Sequence, residues 1–312
     1  MNAADTTTGA PEFRAAGTDL SERRRSGVAR GALADIATTP ALRAIEWRAD
    51  GAAGIGALVT VAEIARDGRI AAAYPGLAAA AAGLATPQIR TLATIGGNLA
   101  QRTRCWYYRN PGIACLKKGG SGCPSRGGNH RYGVAFDLGA CVAPHPSTLG
   151  AALLAYDAII ATSQRPSLGI AELFGDGRAG TEDNTLRAGE LIERIVLPPP
   201  LPGERASYGR AISRAHAEWP LAEVIARGVI EDGRFARVAV AAGGIAPVPL
   251  RLAAVEAALS GRAPDAGTIA AAAQLAVTDA NPLPQTGYKL DLLVAQVADA
   301  LTRIAGRDPR AA

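Results

Sequence analysis

Short apolar runs alternate with turn residues over the first 50 positions, at 13–20, 32–36 and 42–47, which predicts a small α/β unit. Residues 54–59 read as a strand. Val61–Arg66 then opens a helix with Thr60 as N-cap, its hydroxyl placed to accept from a first-turn N–H. A second helix is expected at about 77–84, with Pro87 marking its end. Residues 148–156 are helical in pattern, capped by Ser147 or Thr148, and 191–197 form a strand stopped by Pro198-Pro199-Pro200. That proline run and the LPGER after it make the best interdomain linker in the chain. Further on, 222–230 and 234–241 flank Glu231-Asp232-Gly233, a hairpin signal, and amphipathic helices are expected near 251–260, 267–279 and 289–305. The last hundred residues therefore read as a small antiparallel sheet packed by three helices. The pattern contains no internal repeat.

Composition narrows the class. With 312 residues, 48% hydrophobic and 20% charged, the chain has room for two domains or three small ones. Aromatics are only 4%, so the cores should be built from small, close-packed residues. The net charge of +5 is dispersed except for a knot at Lys117, Lys118, Arg126, His130 and Arg131. No aromatic-interleaved basic stripe appears, so nucleic acid is not an expected partner. The most apolar stretch, 71–85, is broken by Pro75 and Gly76 and falls short of a membrane span. The N-terminus lacks the basic and apolar regions of a signal peptide, and Arg23-Arg24-Arg25 is followed by no hydrophobic stretch. A cytoplasmic location is expected, or a periplasmic one by co-export with a signal-bearing partner.

Three features carry candidate chemistry. All four cysteines, Cys105, Cys115, Cys123 and Cys141, fall within 37 residues of irregular, glycine-rich chain. Long irregular loops are usually functional or disordered, and four thiolates in one loop can hold one iron–sulfur cluster. Zinc, disulfides in any of three pairings, and free thiols are the alternatives; the gaps of nine, seven and seventeen residues depart from the close pairs of structural zinc. The second feature is Thr94-Ile95-Gly96-Gly97-Asn98, where paired glycines permit positive φ and close approach of backbone N–H groups to an anion, or simply a tight turn. The third, Arg14-Ala15-Ala16-Gly17-Thr18-Asp19-Leu20, has similar small and hydroxyl residues. Hydrogen bonding or capping is expected of His130 and His145, and Trp219, close to His216, is expected in the core. Arg214 is a candidate to orient its loop.

Taken in order, the two loops resemble the paired pyrophosphate-binding loops of the FAD-binding medium subunit of the molybdenum hydroxylases, the xanthine dehydrogenase and carbon monoxide dehydrogenase family. The resemblance continues through GALVT at 56–60, ATIGGNLAQRTRC at 93–105, HPSTLGAALLAYDA at 145–158, SYGRAISRAHAEWPLAEV at 207–224 and AGGIAPVPLR at 242–251. The 105–141 segment is similar to the insertion of the periplasmic aldehyde oxidoreductase branch, whose flavin subunit holds a [4Fe–4S] cluster. The resemblance implies an α+β fold: a two-subdomain FAD-binding unit of the CO dehydrogenase flavoprotein type, at 1–55 and 56–200, then a C-terminal domain at 205–312. It implies FAD contacts from 14–20, Leu84, Ala93, Thr94, Gly96, Gly97, Asn98, Thr148, Ile192 and Arg210, the last standing where many members have lysine. It implies cluster ligation by the four cysteines and no catalytic side chain. The implied partners are a large subunit with the molybdenum cofactor and a small subunit with two [2Fe–2S] centres; the substrate is an aldehyde or aromatic compound. Departures are Ala16 in place of a usual glycine, Thr148 in place of a usual aspartate, and few residues before Phe13, where a strand and helix are usual. An uncovered sheet edge is expected there. A scaffold subunit with weakened or absent FAD is the alternative these departures raise.

Overall fold

The computed structural model describes residues 9–215 and 217–306. A parallel pair, β1 (Glu12–Arg14) and β2 (Leu33–Asp35), is joined through α1 (Leu20–Arg25). The second sheet holds β3 (Ile45–Trp47), β4 (Ala53–Gly56), β5 (Ile159–Thr162), β6 (Leu168–Gly169) and β7 (Ile192–Leu197), in the order β3-β4-β7-β5-β6 and antiparallel throughout. The boundary expected at 55/56 falls inside this sheet. Ile55 on β4 lies opposite Ile45 on one side and Ile195 on the other, so β3–β4 buries its apolar positions by joining β7.

Helices α2 (Val61–Arg66), α3 (Gly68–Ala73), α4 (Pro75–Gly83), α5 (Pro87–Leu92) and α6 (Ile95–Ala100) follow β4. Thr60 caps α2 as expected, in a reciprocal box with Glu63: its hydroxyl accepts from Glu63 N at 3.2 Å while its own N–H donates to Glu63 Oε2 at 2.7 Å. Pro87 opens α5 as well as closing the preceding segment, because a first-turn position needs no N–H from proline. The cysteine-rich segment carries only two single turns, α7 (Trp106–Arg109) and α8 (Pro124–Gly127), with a 3-10 turn at Leu116–Lys118. Ser147 then caps α9 (Thr148–Ala155), accepting from Gly150 N at 2.9 Å; α10 (Ile170–Phe174) lies between β6 and β7.

Residues 198–204 lead into the third sheet: β8 (Arg205–Ala211), β9 (Ala222–Glu231), β10 (Arg234–Gly243) and β11 (Leu250–Arg251), ordered β11-β10-β9-β8. Asp232 and Gly233 both take positive φ, 49° and 72°, which gives the two-residue hairpin turn between β9 and β10. Alternate residues of β9 enter different cores. Ile225 joins the core under α4 and α9, while Val224 and Ala226 join α11 (Ala253–Leu259), α12 (Ala266–Gln274) and α13 (Tyr288–Ile304). Helices α4 and α9 are therefore packed between the second and third sheets. No helix among the described residues is long and apolar enough to cross a membrane.

Candidate cofactor site

The first loop leaves β1 at Arg14, whose guanidinium pairs with Asp35 of β2 at 2.5 Å, and turns into α1 through Gly17 (φ +75°). A Cβ at Gly17 would meet only the rotatable Ser21 Oγ closely, at 2.6 Å, so the positive φ is what favours glycine there. Ala15, Gly17 and Thr18 are half-buried, Ala16 is exposed and Leu20 is in the core. Asp19, expected on the cofactor, stands in a cluster of arginines. Its carboxylate lies 2.6 Å from Arg109, 3.0 Å from Arg23 and 3.1 Å from Arg104, and accepts the Arg102 N–H at 3.2 Å. Burial opposes ionisation there, but Arg104, Arg109 and Arg23 outweigh it and hold the pKa below its ordinary value. Asp19 thus ties the first loop to the chain leaving α6.

The second loop is a helix start rather than a turn. Neither Gly96 nor Gly97 has positive φ. Thr94 is the N-cap and accepts from Gly97 N at 3.1 Å. The N–H of Ile95 donates to Val59 O, that of Gly96 to Ala57 O and that of Asn98 to Thr94 O, while Ala93 O receives Val61 N. A Cβ on Gly96 would meet Ala57 Cβ at 2.8 Å, so this glycine lets the helix back onto the strand exit. Gly97 is exposed and has open space apart from Thr94 Oγ1. An anion here would therefore meet N–H groups that already have acceptors within the chain.

The other expected contacts serve packing in varying degree. Asn98 is buried, and its Oδ1 accepts from Ser147 Oγ at 2.7 Å and from Leu149 N at 3.3 Å, joining α6 to α9. Thr148 Oγ1 donates to Glu223 Oε2 at 2.8 Å, a carboxyl that also receives Tyr208 OH at 2.8 Å. Burial raises the Glu223 pKa, against the opposing pull of Thr148, Tyr208 and the Arg210 charge. Ile192 and Leu84 lie in the same core as Ile95 and Leu99. Arg210 Nη1 donates to Gly83 O at 2.5 Å and its Nη2 to Glu218 O, linking the end of α4 to the 211–221 loop. The structure brings the first loop, α6 and the start of α9 together; Thr148 turns toward the third sheet.

All four cysteines are free thiols, with Cys115 and Cys141 buried and Cys105 and Cys123 half-buried. Backbone N–H groups point at three of the sulfurs: Tyr107 and Tyr108 at Cys105, Ser125, Arg126 and Val142 at Cys123, and Ala143 at Cys141. The Cys141 thiol donates to Cys123, which lowers the Cys123 pKa to about 5 and raises that of Cys141. Cys105 is raised by burial and feels both Cys123 and Cys115. Among the described residues no three His, Cys, Asp or Glu side chains are disposed to hold a single metal ion. Cys105 feels Cys115 and Cys123, and Cys123 pairs with Cys141, so the four thiols are linked in a chain. Lys118, its pKa lowered by burial and opposed by Cys115 and Cys105, donates to Tyr107 O at 3.0 Å. Lys117 reaches Asp183 at 3.0 Å, and the same buried carboxylate lies 2.7 Å from Arg102.

Two family models cover this chain: the FAD binding domain in molybdopterin dehydrogenase at residues 6–200, and the CO dehydrogenase flavoprotein C-terminal domain at 207–303. The aldehyde oxidoreductase FAD-binding subunit PaoB of Escherichia coli (strain K12) is 35% identical over 223 residues, 69% of each chain. The chain belongs to the FAD-binding subunits of the molybdenum hydroxylases. It is an oxidoreductase subunit of α+β fold. Solved structures share that fold: carbon monoxide dehydrogenase from Hydrogenophaga pseudoflava (TM-score 0.74, 22% identity, 96% of this chain and 90% of that one) and quinoline 2-oxidoreductase from Pseudomonas putida 86 (TM-score 0.73, 19% identity, 94% and 89%).

In this FAD-binding subunit a cavity of about 460 Å³ lies where the cysteine-rich segment meets the C-terminal module, with Cys105, Trp106, His145, Trp219 and Lys289 on its wall. Trp219, expected in the core, is 46% exposed there, with the Arg104 guanidinium over its ring at 4.5 Å. Arg214 is exposed, and its N–H donates to Glu218 within the same loop. His130 is held at both nitrogens, Nδ1 by Ser125 O and Nε2 by Gln285 N, and His145 Nδ1 accepts from Ser147 N, which agrees with the hydrogen-bonding roles expected of both. His216 lies outside the described residues. Arg104, Arg109, Asp183 and Lys289 carried no signal in sequence. Each acquires its place only through a partner brought from elsewhere in the chain.

Proposed function

We propose that this chain is the FAD-binding, [4Fe–4S]-carrying electron-transfer subunit of a three-subunit molybdenum hydroxylase that oxidises aldehydes or aromatic compounds and passes the electrons to an external acceptor. The observation that carries this reading is the Asp19 tie. By binding Arg102, Arg104 and Arg109, Asp19 sets the first flavin loop beside Cys105, the first of the cysteines, so both proposed cofactors would be held by one rigid junction. When bound, FAD supplies a carrier that exchanges electrons singly or in pairs, and the cluster supplies a one-electron relay. The chain's own residues would receive and tune them. The exposed Gly97 leaves room for a pyrophosphate, and Thr94 fixes the helix start beneath it. Cys105, Cys115, Cys123 and Cys141 would hold the cluster, and the N–H groups aimed at the sulfurs favour the thiolate form. Lys117 and Lys118 would offset its negative charge.

The partners in this reading are a large subunit with the molybdenum cofactor and a small one with two [2Fe–2S] centres. The compartment would be the cytoplasm, or the periplasm if a partner carries the export signal. A second reading, a scaffold subunit with weakened or absent FAD, is favoured by one observation: the N–H groups of residues 95–98 are already engaged within the chain. Co-expression with both partners separates the two. A defined complex whose flavin absorption bleaches on adding an aldehyde supports the electron-transfer reading. A complex that assembles without flavin supports the scaffold, and a chain that ignores both partners in pull-down contradicts both.

A further inference from the structure

The cysteine-rich segment is gripped from two sides. On the side of the FAD-binding unit, Arg109 of α7, the turn after Cys105, lies 2.6 Å from Asp19. Lys117, two residues after Cys115, lies 3.0 Å from Asp183. On the other side, the loop before α13 reaches the stretch that carries Cys123 and Cys141. Asn281 Oδ1 accepts from Asp137 N at 2.6 Å and its Nδ2 donates to Asp137 O at 3.0 Å, while its own N–H donates to Ala135 O at 3.2 Å. The side-chain amide thus satisfies both backbone groups of one residue, as a neighbouring strand would. Gln285 grips His130 in the same two-point fashion: its Oε1 accepts from His130 N at 3.1 Å, and its N–H donates to His130 Nε2 at 3.3 Å.

Each grip leads by short steps to a sulfur. Because His130 Nε2 accepts from Gln285, the ring proton sits on Nδ1 and is donated to Ser125 O at 3.1 Å. Ser125 lies two residues after Cys123, and its N–H, with that of Arg126, points at the Cys123 sulfur. Asp137, held by Asn281, receives both Arg126 Nη groups at 2.8 and 2.6 Å, and Arg126 Nε donates to Ala140 O at 3.1 Å, next to Cys141. Arg126 therefore closes the loop before Cys141 onto α8, the turn after Cys123. Asn281 and Gln285 are both exposed, so water would satisfy the same polar groups if either side chain were removed. What the two amides add is fixed geometry rather than burial.

We propose that Asn281 and Gln285 are positioning residues for Cys123 and Cys141, so that the C-terminal module presents this pair of ligands while the FAD-binding unit presents Cys105 and Cys115. The inference rests on the proposed cluster, and it adds that the cluster is shared between the two modules, with half of its ligand geometry set by side chains 144 and 155 positions away from the backbone they hold.

The test uses the full chain, purified anaerobically and loaded with ferrous iron and sulfide. Wild type, Asn281→Ala, Gln285→Ala and Gln285→Glu are compared for iron retained against EDTA and for the electron paramagnetic resonance spectrum after dithionite reduction. Both alanine variants should keep the wild-type circular dichroism, lose iron about three- to tenfold faster, the range one net hydrogen bond supplies, and give a shifted or broadened resonance. Gln285→Glu keeps an acceptor for His130 N and should restore both readouts, a rescue that a general loss of folding would not show. If one alanine variant fails to fold, the other carries the expectation. Folded variants that hold iron as long as wild type, with an unchanged spectrum, overturn the inference. So does a glutamate variant no better than the alanine one. A wild-type chain that takes up no iron contradicts the cluster reading itself, and this inference falls with it.

Discussion

Gly96 and Gly97 stand side by side, yet a methyl group would meet different surroundings at each. At Gly96 it would lie 2.8 Å from Ala57 Cβ and 3.0 Å from Ala57 O, atoms of a packed strand exit that cannot yield. Gly96→Ala should therefore cost about 1–3 kcal/mol, the range for overpacking, seen as a lower melting temperature. Gly97→Ala meets only Thr94 Oγ1 at 3.0 Å and should cost less, while reducing flavin occupancy because it narrows the exposed face of the helix start. Equal melting losses with equal flavin content in the two variants would refute this division. A sequence shows both glycines as one turn signal; only the neighbour, 39 positions earlier for Gly96, separates a packing glycine from a surface one. Glu223 makes the same point with charge. Its pKa is raised, so as pH rises through its ordinary value of 4.5 the unfolded chain ionises first and folding loses stability until the native group ionises too. Glu223→Gln keeps an acceptor for Thr148 and Tyr208 and should melt increasingly above wild type as pH climbs past 4.5. A gap that does not change with pH would show that Glu223 is ionised in the native protein.

At the scale of elements, the cysteine-rich segment depends on clamps as well as on its thiols. Asp183, from the connection between α10 and β7, receives both Lys117 and Arg102 with little solvent around any of the three. Burial opposes its ionisation, but Arg102 and Lys117 outweigh that and lower its pKa. The stability it lends is present above the ordinary carboxylate pKa and is lost as pH falls through the depressed one. Asp183→Asn leaves the buried Lys117 ammonium without a counter-charge, while Arg102 retains Glu182 at 3.3 Å, and should cost about 3 kcal/mol, with the 105–141 segment becoming the first protease-sensitive region. Protection equal to wild type in limited proteolysis would remove Asp183 from that role. The cysteine spacing and the absence of periodicity were legible in sequence because all four cysteines fall in one window. Asp183, 42 positions beyond the last cysteine, was not, since one acid among 28 carries no mark of its partner. Helices α2 and α9 were readable for a local reason: their caps, Thr60 with Glu63 and Ser147 with Gly150, lie within four residues. The start of α6 escaped because its N–H groups are taken up by Val59 and Ala57, contacts that make a helix of a segment that reads as a turn.

Across the whole molecule, the second and third sheets share helices α4 and α9, and buried polar links fasten the junction. Tyr156 OH accepts from Gly76 N at 2.9 Å and donates to Glu204 Oε1 at 2.9 Å, and Glu204 pairs with Arg227 of β9 at 2.6 Å. A molecule joined this way presents the cysteine-rich segment, the 14–20 loop and the start of α6 as one continuous region. The central claim is that this one chain carries both a flavin and a cluster on its four cysteines. The measurement that tests it most directly is quantitative analysis of iron, acid-labile sulfide and flavin in the anaerobically purified chain. The account predicts one FAD with about four irons and four sulfides per chain, the iron and sulfide lost together in any single cysteine-to-serine variant while flavin remains. A chain free of iron, with Cys123 and Cys141 recovered as a disulfide, would contradict it.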